Sequence, residues 1–191
     1  MNTYEEFEHK GLTIKIVQDE DAQSPREWGD EGLFLVASHR DFYVPAPGEK
    51  RCRETFNAYV EQYGRTHWIF PIEAYIHSGV HLSFSHRGQY PDRRWDVSQV
   101  GAIFASKKEW RLSKSARKSA ETHLEAWNQY LGGEVCGYII EGGLTEESCW
   151  GFYGVEYCKK EALSMAEHML KKMGEEKSES ERCACADIVT V

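Results

Sequence analysis

Two pairs of strand-like segments in this chain are joined by connections too short to hold a crossover, and this narrows the possible folds sharply. HWIFPIEAYIH (His67–His77) reaches VHLSFSH (Val80–His86) across Ser78-Gly79 alone, a tight turn or a bulge, of which the turn makes them a pair. EVCGYIIEGG and ESCWGFYG read as a second strand pair, with GGLTEE as their connection. Parallel neighbours need a dozen or more connecting residues, so both pairs are expected to be antiparallel. Further strands are expected at Gly11–Asp21, where Leu12, Ile14 and Ile16 alternate with Thr13 and Lys15, at Gly32–His39, apolar enough to be central, and at Gln99–Ser106. Pro71 places its strand at an edge or beside a bulge.

Helical spacing appears three times. Cys52–Tyr63 carries Phe56, Tyr59, Val60 and Tyr63 on one stripe, ended by Gly64. Ser113–Leu131 puts Ala116, Ala120, His123, Leu124, Trp127 and Leu131 on one face before Gly132-Gly133 stops it. A last helix is expected from Val155 to Met173, with Cys158, Ala162, Met165 and Met169 at helical spacing. There is no internal repeat and no βαβ phosphate fingerprint. The expected fold is α+β: a mainly antiparallel sheet with about three helices packed on it, a single domain over 1–173, and a mobile charged tail over 174–191.

With 41% hydrophobic and 13% aromatic residues, the chain can bury a core. Its net charge of −8 disfavours non-specific nucleic-acid binding. His86–Lys118 departs from that average, with nine Lys/Arg against three Asp/Glu. A basic patch on an acidic body suits a phosphate-bearing ligand or an acidic partner, although a solvated helix face gives the same pattern. The opening MNTYEEFEHK holds no apolar run, and no segment is long enough to cross a bilayer, so neither a signal peptide nor a membrane association is expected. The six cysteines are then read as reduced thiols of a cytoplasmic protein. Cys183 and Cys185 supply two ligands where a zinc site needs four.

Chemistry-bearing side chains concentrate between Tyr75 and Gly101. His77, His81 and His86, with Asp92 or Asp96, raise the question of a metal site; no standard ligand spacing is present, and the expectation is no metal and no cofactor. Arg93 and Arg94 flank Trp95 and Asp96. Arginine forks hold phosphate, a tryptophan face stacks on a base, and an aspartate takes a ribose hydroxyl. The expected ligand-binding set is His77, Arg93, Arg94, Trp95, Asp96 and Trp150. Surface ion pairs around a core tryptophan are the competing structural reading. Catalytic candidates are His77 and Asp96, with Cys149 as nucleophile. A buried strand cysteine is the commoner state of that residue type.

Several pieces of the chain, in order, carry a resemblance. They are His39-Arg40, Tyr75-Ile76-His77-Ser78-Gly79, Trp95-Asp96-Val97-Ser98-Gln99-Val100-Gly101, Tyr130-Leu131-Gly132-Gly133-Glu134-Val135, Gly137-Tyr138 and Ser148-Cys149-Trp150-Gly151-Phe152-Tyr153-Gly154. Together they resemble a family of small proteins encoded by tailed phages, prophages and other mobile elements. Val97 and Cys136 depart from that pattern. The resemblance implies a source and a continuity of fold; it supplies no catalytic residues. It implies location in the cytoplasm of a bacterial host cell, and an accessory role against host defence by binding a nucleotide-like small molecule or a host defence protein. A homo-oligomer is compatible with the sequence. The alternatives are a small hydrolase or transferase using His77 and Asp96 with Cys149 or a metal, and an acidic inhibitor that mimics nucleic acid.

Overall fold

The computed structural model describes residues 2–29, 32–40, 42–52, 56–77, 79–85, 90 and 96–186, with side chains of the last helix described as far as 176. The fold is α+β with antiparallel sheets. Its contacts fall into two compact units, one formed by residues up to Ala22 together with those from Glu134 on, the other by Gln23–Gly133.

The first unit is a four-stranded sheet in the order β1 (Thr3–His9), β2 (Leu12–Gln18), β8 (Val135–Glu141), β9 (Glu147–Tyr153). β2 alternates as its sequence indicates: Leu12, Ile14 and Ile16 are buried. β1 was not expected. It carries Glu5, Glu6 and Glu8 on an outer edge, where charge discourages pairing with other chains. Lys10 and Gly11, both at positive φ (51° and 87°), make its two-residue turn into β2. The last helix of the chain, Val155–Ala186, packs Cys158, Ala162, Ala166 and Met169 on Leu12, Ile14, Ile16 and Ile140. It passes the expected stop at Met173. Gly174 does not take a positive φ, and the Glu, Lys, Arg and Ala residues that follow favour helix.

The second unit is a five-stranded sheet in the order β4 (Tyr43–Val44), β3 (Leu33–Ser38), β7 (Val97–Ser106), β5 (His67–Ile76), β6 (Val80–Phe84). Helix α1 (Phe56–Tyr63) packs on one face, through Phe34, Val36, Tyr59, Ala102 and Phe104. Helix α2 (Ser113–Leu131) packs on the other, against Leu33, Leu35, Phe70, Ile72 and Ile103. Burial on both faces explains why β3 and β7 lack polar alternation. The helix after β9 is α3 in this order. Ser113–Leu131 has the predicted ends, and five of its six predicted face residues are buried; Leu131 is half-buried. Pro71 lies on a central strand, not an edge. A bulge follows it at Ile72/Glu73, and it sits just past the last β5–β6 pair, where its missing N–H breaks no ladder. No helix among the described residues is long and apolar enough to cross a membrane.

Candidate functional site

At one end of the second unit's sheet, the end of β3, the start of β7 and the β5–β6 hairpin converge. In the hairpin, Tyr75 pairs with His81, so both stand on the face that also carries α1. His77 has the same parity. Tyr90 lies flat on Tyr75, with ring centroids 4.7 Å apart and planes 7° from parallel. His77 continues the row on Tyr75 at 6.1 Å and 23°. The Tyr90 hydroxyl shares a hydrogen bond of 3.0 Å with Nδ1 of His81. The two histidines therefore share a face, as strand parity suggested, but each has a separate partner.

His77 Nδ1 lies 3.8 Å from Asp96 Oδ2. Both residues are candidates from the sequence, which by itself does not show that they meet; here they are neighbours. The pair is well exposed on the histidine side, 70% against 30% for Asp96, so its own contribution to stability is small. Asp96 also lines a cleft of about 370 Å³ with His39, Arg40, Ile76 and Ser98. An imidazole, a guanidinium and a carboxylate thus border one opening next to a stacked aromatic row.

Deeper on the same face, Glu73 is buried at 4% exposure beside Tyr75, and Ser83 Oγ donates to its Oε1 at 3.4 Å. Gln99 is its cross-strand partner on β7. Sequence reasoning missed Glu73 by treating IFPIEAYI as a strand backbone for the histidines. A lone carboxylate at a parity shared with Tyr75 and His77 was the available signal. A second cleft, about 500 Å³, lies between α1 and the sheet, lined by Ser38, Cys52, Asn57, Gln99 and Gly101 among others. Burial raises the Cys52 pKa, and its thiol donates to the Ala37 carbonyl at 3.2 Å, so it is held as a thiol rather than a nucleophilic thiolate.

Of the remaining candidates, Arg93, Arg94 and Trp95, like His86 and Asp92, lie outside the described residues. Cys149 and Trp150 belong to the first unit, on β9. Trp150 has a structural task there. A Cβ on Gly137 would stand 2.4 Å from Cε3 of its ring, so the indole covers the gap that the glycine leaves in β8. Gly151, at φ 83°, supplies the bulge that turns the ring this way. Among the described residues, no three His, Cys, Asp or Glu side chains gather as a metal-holding group.

The basic run is partly committed to the fold. Lys107 donates to the carbonyls of Gly64 and Arg65, just past the end of α1, at 3.2 Å each. Arg117 places its guanidinium 3.7 Å from the centroid of Phe84 and bonds Glu121. These two cations serve packing, and the guanidinium that borders the cleft beside Asp96 is that of Arg40.

Comparison with known proteins finds no matching family model, no matching curated protein and no matching solved structure.

Proposed function

We propose that this chain is a binding protein for a ring-bearing, phosphorylated small molecule of the nucleotide kind, held at the Tyr75–His77–Asp96 end of the sheet. The observation that carries this reading is the near-parallel row of Tyr90, Tyr75 and His77 beside a cleft bordered by Arg40 and Asp96. A planar base extends such a row by stacking on the exposed imidazole. Arg40 complements phosphate, with Arg93 and Arg94 as further forks, and Asp96 accepts from a sugar hydroxyl. The resemblance to phage and mobile-element proteins supports a role against host defence in the bacterial cytoplasm, with a nucleotide signal as the sequestered molecule. A host defence protein as the bound target is the protein-level form of the same reading.

A hydrolase or transferase is favoured by one observation, the His77–Asp96 proximity at 3.8 Å, longer than a hydrogen bond but close enough for a general base and a supporting carboxylate to draw together when substrate binds. Native mass spectrometry of the purified chain, followed by calorimetric titration with nucleoside mono- and diphosphates, separates these readings. Sequestration predicts a released nucleotide mass, or saturable binding that His77→Ala and Arg40→Ala each weaken about tenfold with melting unchanged. Turnover abolished by His77→Ala moves the assignment to the enzyme. Neither a bound mass nor binding across the series removes the small-molecule reading and leaves capture of a host protein.

A further inference from the structure

A separate cavity in the second unit, away from the aromatic row, has the shape and chemistry of a ligand site. It exists because β4 is only two residues long. Pro45 and Pro47 follow it at once; neither has an N–H, so the chain cannot run on as a partner strand beside β3. The ladder between these strands ends at Ala37–Val44. Three consecutive β3 residues, Leu33, Phe34 and Leu35, border the resulting hollow of about 170 Å³, so it runs along the strand edge rather than over one face. The 3-10 turn Pro25–Trp28 and the α2 residues His123 and Trp127 complete the wall.

The size suits a single ring. A cavity of about 150 Å³ lined by apolar side chains holds one benzene ring, and this one is slightly larger. Its apolar wall is Phe34, Leu35, Trp127 and the prolines. Beside backbone groups and the Trp127 indole, two polar side chains line it. His123 is buried, and Trp127 Nε1 donates to its Nε2 at 3.0 Å, which requires that nitrogen to be unprotonated and holds the imidazole neutral. Arg26 is exposed and lines the same hollow; its Nη2 donates to the carbonyls of Glu49 (2.6 Å) and Ala46 (3.5 Å). Those are neutral acceptors. Among the described residues no carboxylate is ion-paired with Arg26, which stands at the edge of this ring-sized space.

We propose that this cavity binds a small aromatic carboxylate, with a single ring between Trp127, Phe34 and the prolines and its anionic group toward Arg26. The proposal does not depend on the nucleotide reading, since it shares none of the residues that reading uses.

Titration with sodium benzoate and with benzyl alcohol, followed by NMR of the Trp127 indole N–H and the His123 ring, tests it. Benzoate is expected to shift both signals saturably and to bind at least about tenfold more tightly than the neutral alcohol, the scale of one charge-assisted hydrogen bond. Arg26→Gln should bring benzoate down to the level of the alcohol, and Arg26→Lys should keep most of the preference. Absence of shifts at Trp127 and His123, equal affinity for the two compounds, or an unchanged preference in Arg26→Gln would each overturn the proposal. If Arg26→Gln fails to fold, the comparison of the two compounds on the unaltered chain still decides.

Discussion

Asn128 ties the helix on one side of the second sheet to β6, the hairpin partner of the strand that carries Tyr75, and its replacement should be felt in both. Its Oδ1 accepts from the Leu82 N–H at 2.7 Å, and its Nδ2 donates to the Leu82 carbonyl at 2.9 Å. The side-chain amide thus imitates one residue of a partner strand along the outer edge of β6. Asn128→Ala removes both bonds and leaves the two backbone groups of a residue that is 1% exposed without them. At about 1 kcal/mol net per bond, with a further penalty for the stranded groups, the loss should be about 2–3 kcal/mol. For a chain of this length that lowers Tm by roughly 5–10 °C. Asn128→Asp discriminates further. A second oxygen facing the Leu82 carbonyl favours the protonated carboxyl in the folded chain, so its folded pKa rises above the unfolded value of about 3.9. The associated stability is present below that value and is lost as pH rises through the folded pKa, so Asn128→Asp should come closer to the parent at pH 4 than at pH 7. Urea denaturation with hydrogen exchange at the Leu82 amide measures both effects. If Asn128→Ala changes stability by less than about 0.5 kcal/mol and leaves the Leu82 amide protected, the amide is not acting as a strand mimic and the argument fails.

Gly101→Ala should be severe: a Cβ there would stand 1.9 Å from the Val36 carbonyl oxygen, forcing β3 off β7 at a cost of about 3 kcal/mol or more, read as a lower urea midpoint or loss of soluble protein. Gly79→Ala, with nothing within 4 Å of the added carbon, is the matched control and should change stability little. In the first unit, Lys10 Nζ at 2.6 Å and His9 Nε2 at 2.8 Å hold the Glu167 carboxyl below its ordinary range. A depressed carboxylate stabilises above its unfolded pKa and loses that contribution as pH falls through the folded value, so the Tm difference between the parent and Glu167→Gln should shrink from pH 7 toward pH 3. A difference that grows on acidification would reverse the assignment.

What the sequence made legible was what local pattern alone dictates. Ser113–Leu131 announces itself because its buried face repeats over five turns and Gly132-Gly133 ends it. The β8–β9 hairpin is visible in its short connection, and the β5–β6 hairpin is one of the two readings, turn or bulge, that Ser78-Gly79 allows. β1 was invisible for the opposite reason: Tyr4, Glu5, Glu6, Phe7 and Glu8 have no strand-like apolar face, and only pairing with β2 through Lys10-Gly11 makes them a strand. Division into two units is also non-local. β2 pairs with β8, so everything from Gln23 to Gly133 is one long insertion between neighbouring strands of the first sheet, which no window of sequence reveals. At the candidate site, the nearness of His77 and Asp96 depends on the pairing of β5 with β7, which the sequence does not reveal, and the close approach of the Trp150 ring to Gly137 likewise depends on the pairing of β8 with β9.

The bulge on β7 accounts for the face that this site occupies. Along β5, parity never changes: Phe70, Ile72 and Ala74 all face the α2 core. Along β7, Ile103 and Ala105 face the same core, so unbroken alternation would send Gln99 and Val97 into it as well. The register instead jumps from Ile72–Gly101 to Glu73–Gln99. Val100 is the extra residue, and it is Val100 that joins the α2 core. Gln99 and Val97 are thereby transferred to the other face, beside Glu73 and Tyr75. One inserted residue converts a strand buried on both sides into one whose first residues present Gln99 next to the aromatic row, without leaving a glutamine in the core. The sequence carries the signature in Gln99-Val100-Gly101, a polar residue where the core periodicity calls for an apolar one and the reverse beside it. Read this way, the bulge is the element that separates the scaffold part of the sheet from its candidate binding part.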